Sequence, residues 1–141
     1  MDYFNYNRRQ SSVVQIGNKQ LGGNNPILIQ SMANVSTLDT NACVEQAIRI
    51  IDAGADYVRF TAQGIREAEN LGVIRQELTR RGYTNPLVAD IHFNPKAADA
   101  AAQVVEKVRI NPGNYVDSKI FNIREYSDEE YNAGIAKIRE R

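Results

Sequence analysis

Short apolar, β-branched segments alternate with helical ones along this chain, and that alternation constrains the fold more than any other feature. The apolar segments centre on Ile29, Val58, Val88 and Ile110, which lie 29, 30 and 22 residues apart. Parallel strands need about that much chain for a crossover helix. The expected strands are PILIQ, DYVRF, PLVADI and KVRI. Between them, Asn41 to Ala53 places Val44, Ala47, Ile48 and Ile51 on one helical stripe. Ile65 to Arg81 does the same with Ile65, Ala68, Leu71, Ile74 and Leu78, at the three- and four-residue spacing of an amphipathic helix. Gly54 and Gly82 stand where these helices should stop, the usual place for glycine. Asn94 and Pro95 offer an N-cap and a first-turn proline to an alanine-rich helix running to about Glu106. Ser127 and Glu130 form a capping box for a last helix, whose apolar face holds Tyr131, Ile135 and Ile138.

A closed barrel of eight βα units takes ~250 residues, and this chain has 141. The expected fold is therefore α/β: a partial TIM-type (β/α)8 barrel of about four βα units, preceded by an N-terminal β-hairpin. A small, complete open sheet is the alternative. Residues 1–25 form the N-terminal segment, with VVQIG and NKQLGG as hairpin strands turning at Gly17-Asn18-Lys19. Its expected role is a lid on one end of a larger barrel. Residues 26–141 are the expected first half of that barrel, truncated before its remaining units. Half a barrel leaves two open sheet edges and an uncovered inner face, so the polypeptide is expected to self-associate or to be marginally stable.

Charge excludes some functions. Seventeen Lys and Arg balance seventeen Asp and Glu, so no net field draws nucleic acid or an anionic membrane. No apolar run approaches the ~20 residues of a membrane span, and MDYFNYNRRQSS lacks the apolar core of a secretory signal. A cytoplasmic protein is expected. Cys43 is the single cysteine, which leaves no internal disulfide or multi-cysteine metal site. Inside an amphipathic helix it reads as a buried structural thiol.

The polar residues gather at the strand ends. Asp90 with His92, and Arg109 with Asn111, are i, i+2 pairs on the third and fourth strands. Alternate side chains share a face, and ligands of parallel α/β folds bind beyond the C-terminal strand ends. Arg59 stands near the end of the second strand, one residue before Phe60, on the same face as Tyr57. Each arginine has two readings: an ion pair with a carboxylate such as Asp90, or a planar fork for phosphate or carboxylate. Two arginines at one mouth favour an anion. Asp90 and His92 read as a proton-transfer or positioning pair, as half of a metal site short of ligands, or as a histidine satisfied by its neighbour. The loop Gln30 to Thr40 is rich in amides and hydroxyls that could meet a substrate, although turn and cap roles fit Ser36, Thr37 and Asp39 equally well. Gly64 would let an anion approach the N-terminus of the second helix. Asn111, Pro112, Gly113 and Asn114 read as a turn.

Taken together, PILIQSM, AGADYVRF, PLVADIHF and VRINPGN resemble the N-terminal barrel of the 4-hydroxy-3-methylbut-2-enyl diphosphate synthase family, over about Val13 to Asn114. TAQGIREAEN is similar to the long, three-domain form of that family. The resemblance implies an oxidoreductase of the non-mevalonate isoprenoid pathway. Such an enzyme reductively opens 2-C-methyl-D-erythritol 2,4-cyclodiphosphate with electrons from ferredoxin or flavodoxin. It further implies Arg59 and Arg109 as diphosphate ligands, Asp90 and His92 as catalytic candidates, and Asn111, Gln30, Ser31 and Met32 as substrate contacts. The family's [4Fe-4S] cluster is held by three cysteines and a glutamate in a C-terminal domain, and Cys43 matches none of them. The chain alone is thus expected to carry no cofactor or metal and to be inactive. The alternatives are a dihydropteroate-synthase-like barrel and a non-catalytic phosphate-ligand-binding α/β domain.

Overall fold

The computed structural model describes residues 9–92, 94–112, 115 and 125–140. Its main body is a parallel sheet with helices on one face. The hairpin comes first, as β1 (Val14–Ile16) and β2 (Lys19–Leu21), antiparallel and joined at Gly17-Asn18. Four parallel strands follow: β3 (Gln30–Met32), β4 (Tyr57–Ala62), β5 (Leu87–Ile91) and β6 (Lys107–Arg109). They lie in sequence order, β3-β4-β5-β6. The connecting helices are α1 (Thr40–Asp52), α2 (Ile65–Arg80) and α3 (Pro95–Ala101), and α4 (Asp128–Arg139) closes the chain. Successive parallel strands each followed by a helix are the repeating unit of a TIM barrel.

Strand parity divides the sheet into two faces. Val58, Phe60 and Ala62 of β4 and Leu87, Ala89 and Ile91 of β5 are buried against Val44 and Ala47 of α1, Leu71, Ile74 and Leu78 of α2, and the alanines of α3. This is the core, and the helical stripes read from the sequence supply one side of it. The other face carries Tyr57, Arg59 and Thr61, then Val88 and Asp90, then Lys107 and Arg109, as the strand register requires.

Local signals place the helix ends. Asp39 caps α1 by accepting from the Ala42 amide at 3.0 Å, and Asn94 caps α3 through the Ala97 amide. Gly54 and Gly82 adopt φ of 101° and 88°, a left-handed conformation that glycine enters without steric cost. Both members of the Ser127/Glu130 capping box are present.

Three features differ from the sequence reading. PILIQ is not the first strand. Pairing starts at Gln30, and Ile27 and Ile29 are 94% and 61% exposed. The reason is position: β3 is an edge strand, so its apolar residues lack a neighbour on one side. The alanine-rich helix stops at Ala101, not near Glu106. The amides of Gln103 and Val104 turn to carbonyls three residues back, a tightened last turn, and Val104 packs against Gly72 of α2. The third difference concerns α4, which forms as expected but buries none of its side chains, leaving Tyr131 and Ile138 exposed.

The hairpin lies at the N-terminal end of the sheet. Gly17 packs against Pro86 and Glu106, which precede β5 and β6. Lys19 Nζ reaches Asp56, just before β4, at 2.8 Å. That end is opposite the polar strand exits.

Candidate anion site at the strand ends

One buried carboxylate organises the C-terminal end of the sheet. Asp90 lies on β5 and is 2% exposed. Its Oδ1 accepts from Arg109 Nη1 at 3.1 Å, and its Oδ2 accepts from Arg59 Nη2 at 2.5 Å. His92 Nε2 stands 3.3 Å from the same Oδ2. Exposure rises outward: the side chains of Arg59, His92 and Arg109 are 25%, 39% and 42% accessible. A molecule approaching the mouth meets two cations and an imidazole before it meets the carboxylate.

Register explains how the three strands converge. Asp90 pairs with Arg109 on one side and with Thr61 on the other. Arg59 lies opposite Val88, one row closer to the hairpin, and its long side chain climbs to Asp90. The Arg59 Nε is buried with no hydrogen bond among the described residues. The ion-pair reading of the arginines stands: each is paired to Asp90, and each has further N–H donors in its guanidinium. With histidine neutral, two cations and one anion leave the cluster with an excess positive charge.

The remaining site candidates fall in different places. Gln30 and Met32 pair with Tyr57 and Arg59 and share their face, whereas Ser31 pairs with Val58 and shares the helix-side face. All three are exposed. Asn111 is exposed two residues beyond the end of β6. Gly113 and Asn114 of the expected turn lie outside the described residues.

Several polar groups resolve to structural roles. Thr37 donates to the Thr61 carbonyl at 2.6 Å, and Asn70 donates to the Thr37 carbonyl at 2.7 Å. Gln46 holds the loop at Asn34 and Val35. At Gly64 the Glu67 side chain folds back over the helix start, supplying in place the negative charge that such a terminus favours. Sequence reasoning overlooked Lys107, which shares the inner face and sets its Nζ 5.2 Å from the centre of the Tyr57 ring. The i, i+2 spacing from Arg109 was the signal for it.

A metal cluster does not fit these residues. No group of three or more His, Cys, Asp or Glu able to hold a metal occurs among the described residues. Cys43 is fully buried, donates its thiol to the Ser36 carbonyl at 3.3 Å, and is pushed up to a pKa of about 11 by burial and then by Asp39. No helix among the described residues is long and apolar enough to cross a membrane.

The GcpE TIM-barrel domain family matches residues 11–139. A 4-hydroxy-3-methylbut-2-en-1-yl diphosphate synthase (flavodoxin) from Parabacteroides distasonis is 73% identical across the whole chain. Its counterparts from Phocaeicola vulgatus and Bacteroides thetaiotaomicron are 66% and 63% identical. In each case the chain covers 23% of the relative's length.

Proposed function

Because the chain belongs to the GcpE TIM-barrel family, we propose that it forms the first part of the substrate-binding barrel of a 4-hydroxy-3-methylbut-2-enyl diphosphate synthase. In this reading residues 1–25 close the N-terminal end and residues 26–141 supply the first half of the barrel. The rest of the barrel and an iron–sulfur domain belong to the remainder of a longer polypeptide. The substrate is 2-C-methyl-D-erythritol 2,4-cyclodiphosphate, opened reductively with two electrons from flavodoxin or ferredoxin. The single observation that carries the reading is the pair of arginines from β4 and β6 held on one buried carboxylate at the strand ends.

Each residue has a distinct task. Arg59 and Arg109 present N–H donors to the diphosphate oxygens, a charge-assisted contact that planar guanidinium makes in bidentate form. His92, within reach of Asp90 and partly exposed, is placed to donate to the substrate or to transfer a proton. Asn111, Gln30 and Met32 border the mouth as hydrogen-bonding and packing contacts, and Ser31 is a candidate only if its backbone is what meets the substrate. A [4Fe-4S] cluster would supply the electrons for ring opening. Cys43 is not one of its ligands, so the cluster sits outside these residues and the chain alone is inactive. A dihydropteroate-synthase-like barrel finds no support, because the matching family is a different one.

Calorimetry of the full-length enzyme with the cyclic diphosphate tests the reading. Arg59→Ala and Arg109→Ala should each weaken binding by roughly 1.5–3 kcal/mol, about tenfold to a hundredfold. Unchanged affinity in both variants would reject the assignment.

A further inference from the structure

Asp90 was a candidate acid or base, yet its surroundings give it another task. Its carboxylate is 2% exposed, beneath side chains that are 25% to 42% exposed. Both oxygens are engaged, Oδ1 by Arg109 and Oδ2 by Arg59 with His92 close by. Both oxygens are thus committed to holding guanidinium groups, and removing their shared acceptor would leave two neighbouring cations unpaired. The two arginines, by contrast, have no other side-chain hydrogen bond among the described residues: each donates to Asp90. They come from different rows of the sheet, Arg59 opposite Val88 and Arg109 opposite Asp90. Without a shared acceptor, two long cationic side chains would repel each other and lose their common orientation.

We propose that Asp90 is a positioning residue, which clamps Arg59 and Arg109 on its two oxygens so that their outward N–H donors form one preorganised anion site. The inference rests on the reading of this mouth as an anion site and adds what builds it. Preorganisation of this kind lowers the cost of ordering side chains when a ligand binds. The charge of Asp90 opposes an incoming anion, whereas its geometry favours one. The two effects therefore have opposite signs when the residue is changed.

The test uses the full-length enzyme and inorganic pyrophosphate as the calorimetric probe, with thermal unfolding of each variant measured alongside. Asp90→Asn adds a net positive charge to the site and is nevertheless expected to weaken pyrophosphate binding tenfold or more. Asp90→Glu keeps the charge but moves the carboxylate, and should fail to restore the affinity. In turnover the loss should fall on KM for the cyclic diphosphate. Unchanged or tighter binding by Asp90→Asn, or full rescue by Asp90→Glu, would overturn the clamp. So would a loss confined to kcat, which would assign proton transfer instead. If neither variant folds, nitrogen-15 spectra of wild-type arginine side chains decide the matter. Slowly rotating, resolved guanidinium groups for Arg59 and Arg109 without ligand support the clamp, and averaged signals refute it. A wild-type enzyme that binds neither pyrophosphate nor the cyclic diphosphate would remove the anion site itself. Equal binding by wild type and variant would remove only the role of Asp90.

Discussion

Arg59 and Asp90 are joined by a 2.5 Å ion pair although they do not stand opposite each other in the sheet. Thr61 faces Asp90 across the β4–β5 register, and Arg59 lies two residues earlier on the same strand face. The pair is thus made along a diagonal, and a long side chain is what makes it possible. This arrangement directs the Arg59 guanidinium to the strand ends, where Arg109 meets it from the other side. Four further expectations follow from contacts elsewhere in the chain.

Acid should loosen the hairpin before it unfolds the sheet. Asp56 accepts from Lys19 Nζ and from the Ile29 amide, both at 2.8 Å. These bonds hold its carboxyl below the ordinary value of 3.8, the Lys19 bond being the larger cause. A depressed carboxylate contributes stability that is present above its unfolded pKa and lost as pH falls through the lowered folded one. Hydrogen exchange at the Ile29 amide and in β1 and β2 should therefore rise only below the ordinary value. Asp56→Asn should raise it already at neutral pH. Exchange in that variant equal to wild type would disprove the staple.

The thiol of Cys43 should be inert in the folded protein. Burial and the nearby Asp39 push its pKa up to about 11, so the reactive thiolate is scarce at pH 8. Ellman's reagent should label it only at the rate of unfolding. Stoichiometric labelling within minutes under native conditions would contradict this.

Truncating the helix–sheet core should be costly. Leu78 is fully buried in the core of α2, whereas Val73 on the same helix is 50% exposed. Leu78→Ala is expected to cost about 2–5 kcal/mol, because a cavity adds to the lost burial. Val73→Ala should stay within about 0.5 kcal/mol of wild type. Urea titrations of the two variants provide the comparison, and equal midpoints would be inconsistent with the core as drawn.

The isolated chain should self-associate through its edges. β3 and β6 are the outer strands of the sheet, and Ile27, Ile29 and Met32 at the first edge are 94%, 61% and 43% exposed. An open edge with apolar neighbours is a template for pairing. Sedimentation analysis should show oligomers, and Ile27→Lys with Ile29→Lys should shift them towards monomer. A clean monomer with cooperative unfolding at high temperature would count against the expectation.

Much of this was legible in the chain itself. The helical stripes at Val44, Ala47, Leu71, Ile74 and Leu78, the stops at Gly54 and Gly82, and the caps at Asn94 and Ser127 are local signals, and all of them stand in the structure. The strand order β3-β4-β5-β6 follows from the βα alternation, since consecutive strands joined by a short crossover usually lie side by side. Local reasoning failed where neighbours decide the outcome. PILIQ looks like a core strand, but at a sheet edge its isoleucines have nothing to cover them. The alanine-rich stretch looks helical to Glu106, but Glu106 instead accepts the Leu87 amide at 2.7 Å and ties the start of β6 to β5.

By itself, then, the sequence determined the elements, the parallel βα order and the face on which each polar strand-end residue stands, because these depend on periodicities of two and of about 3.6 residues. Only the tertiary structure decided what those residues do to one another. Inter-strand register put Arg109 opposite Asp90 and Arg59 a row away, and packing buried the Asp90 carboxylate where both arginines reach it. Register and burial belong to the packed sheet and to no single strand, which is why the arrangement appears only when the chain is folded.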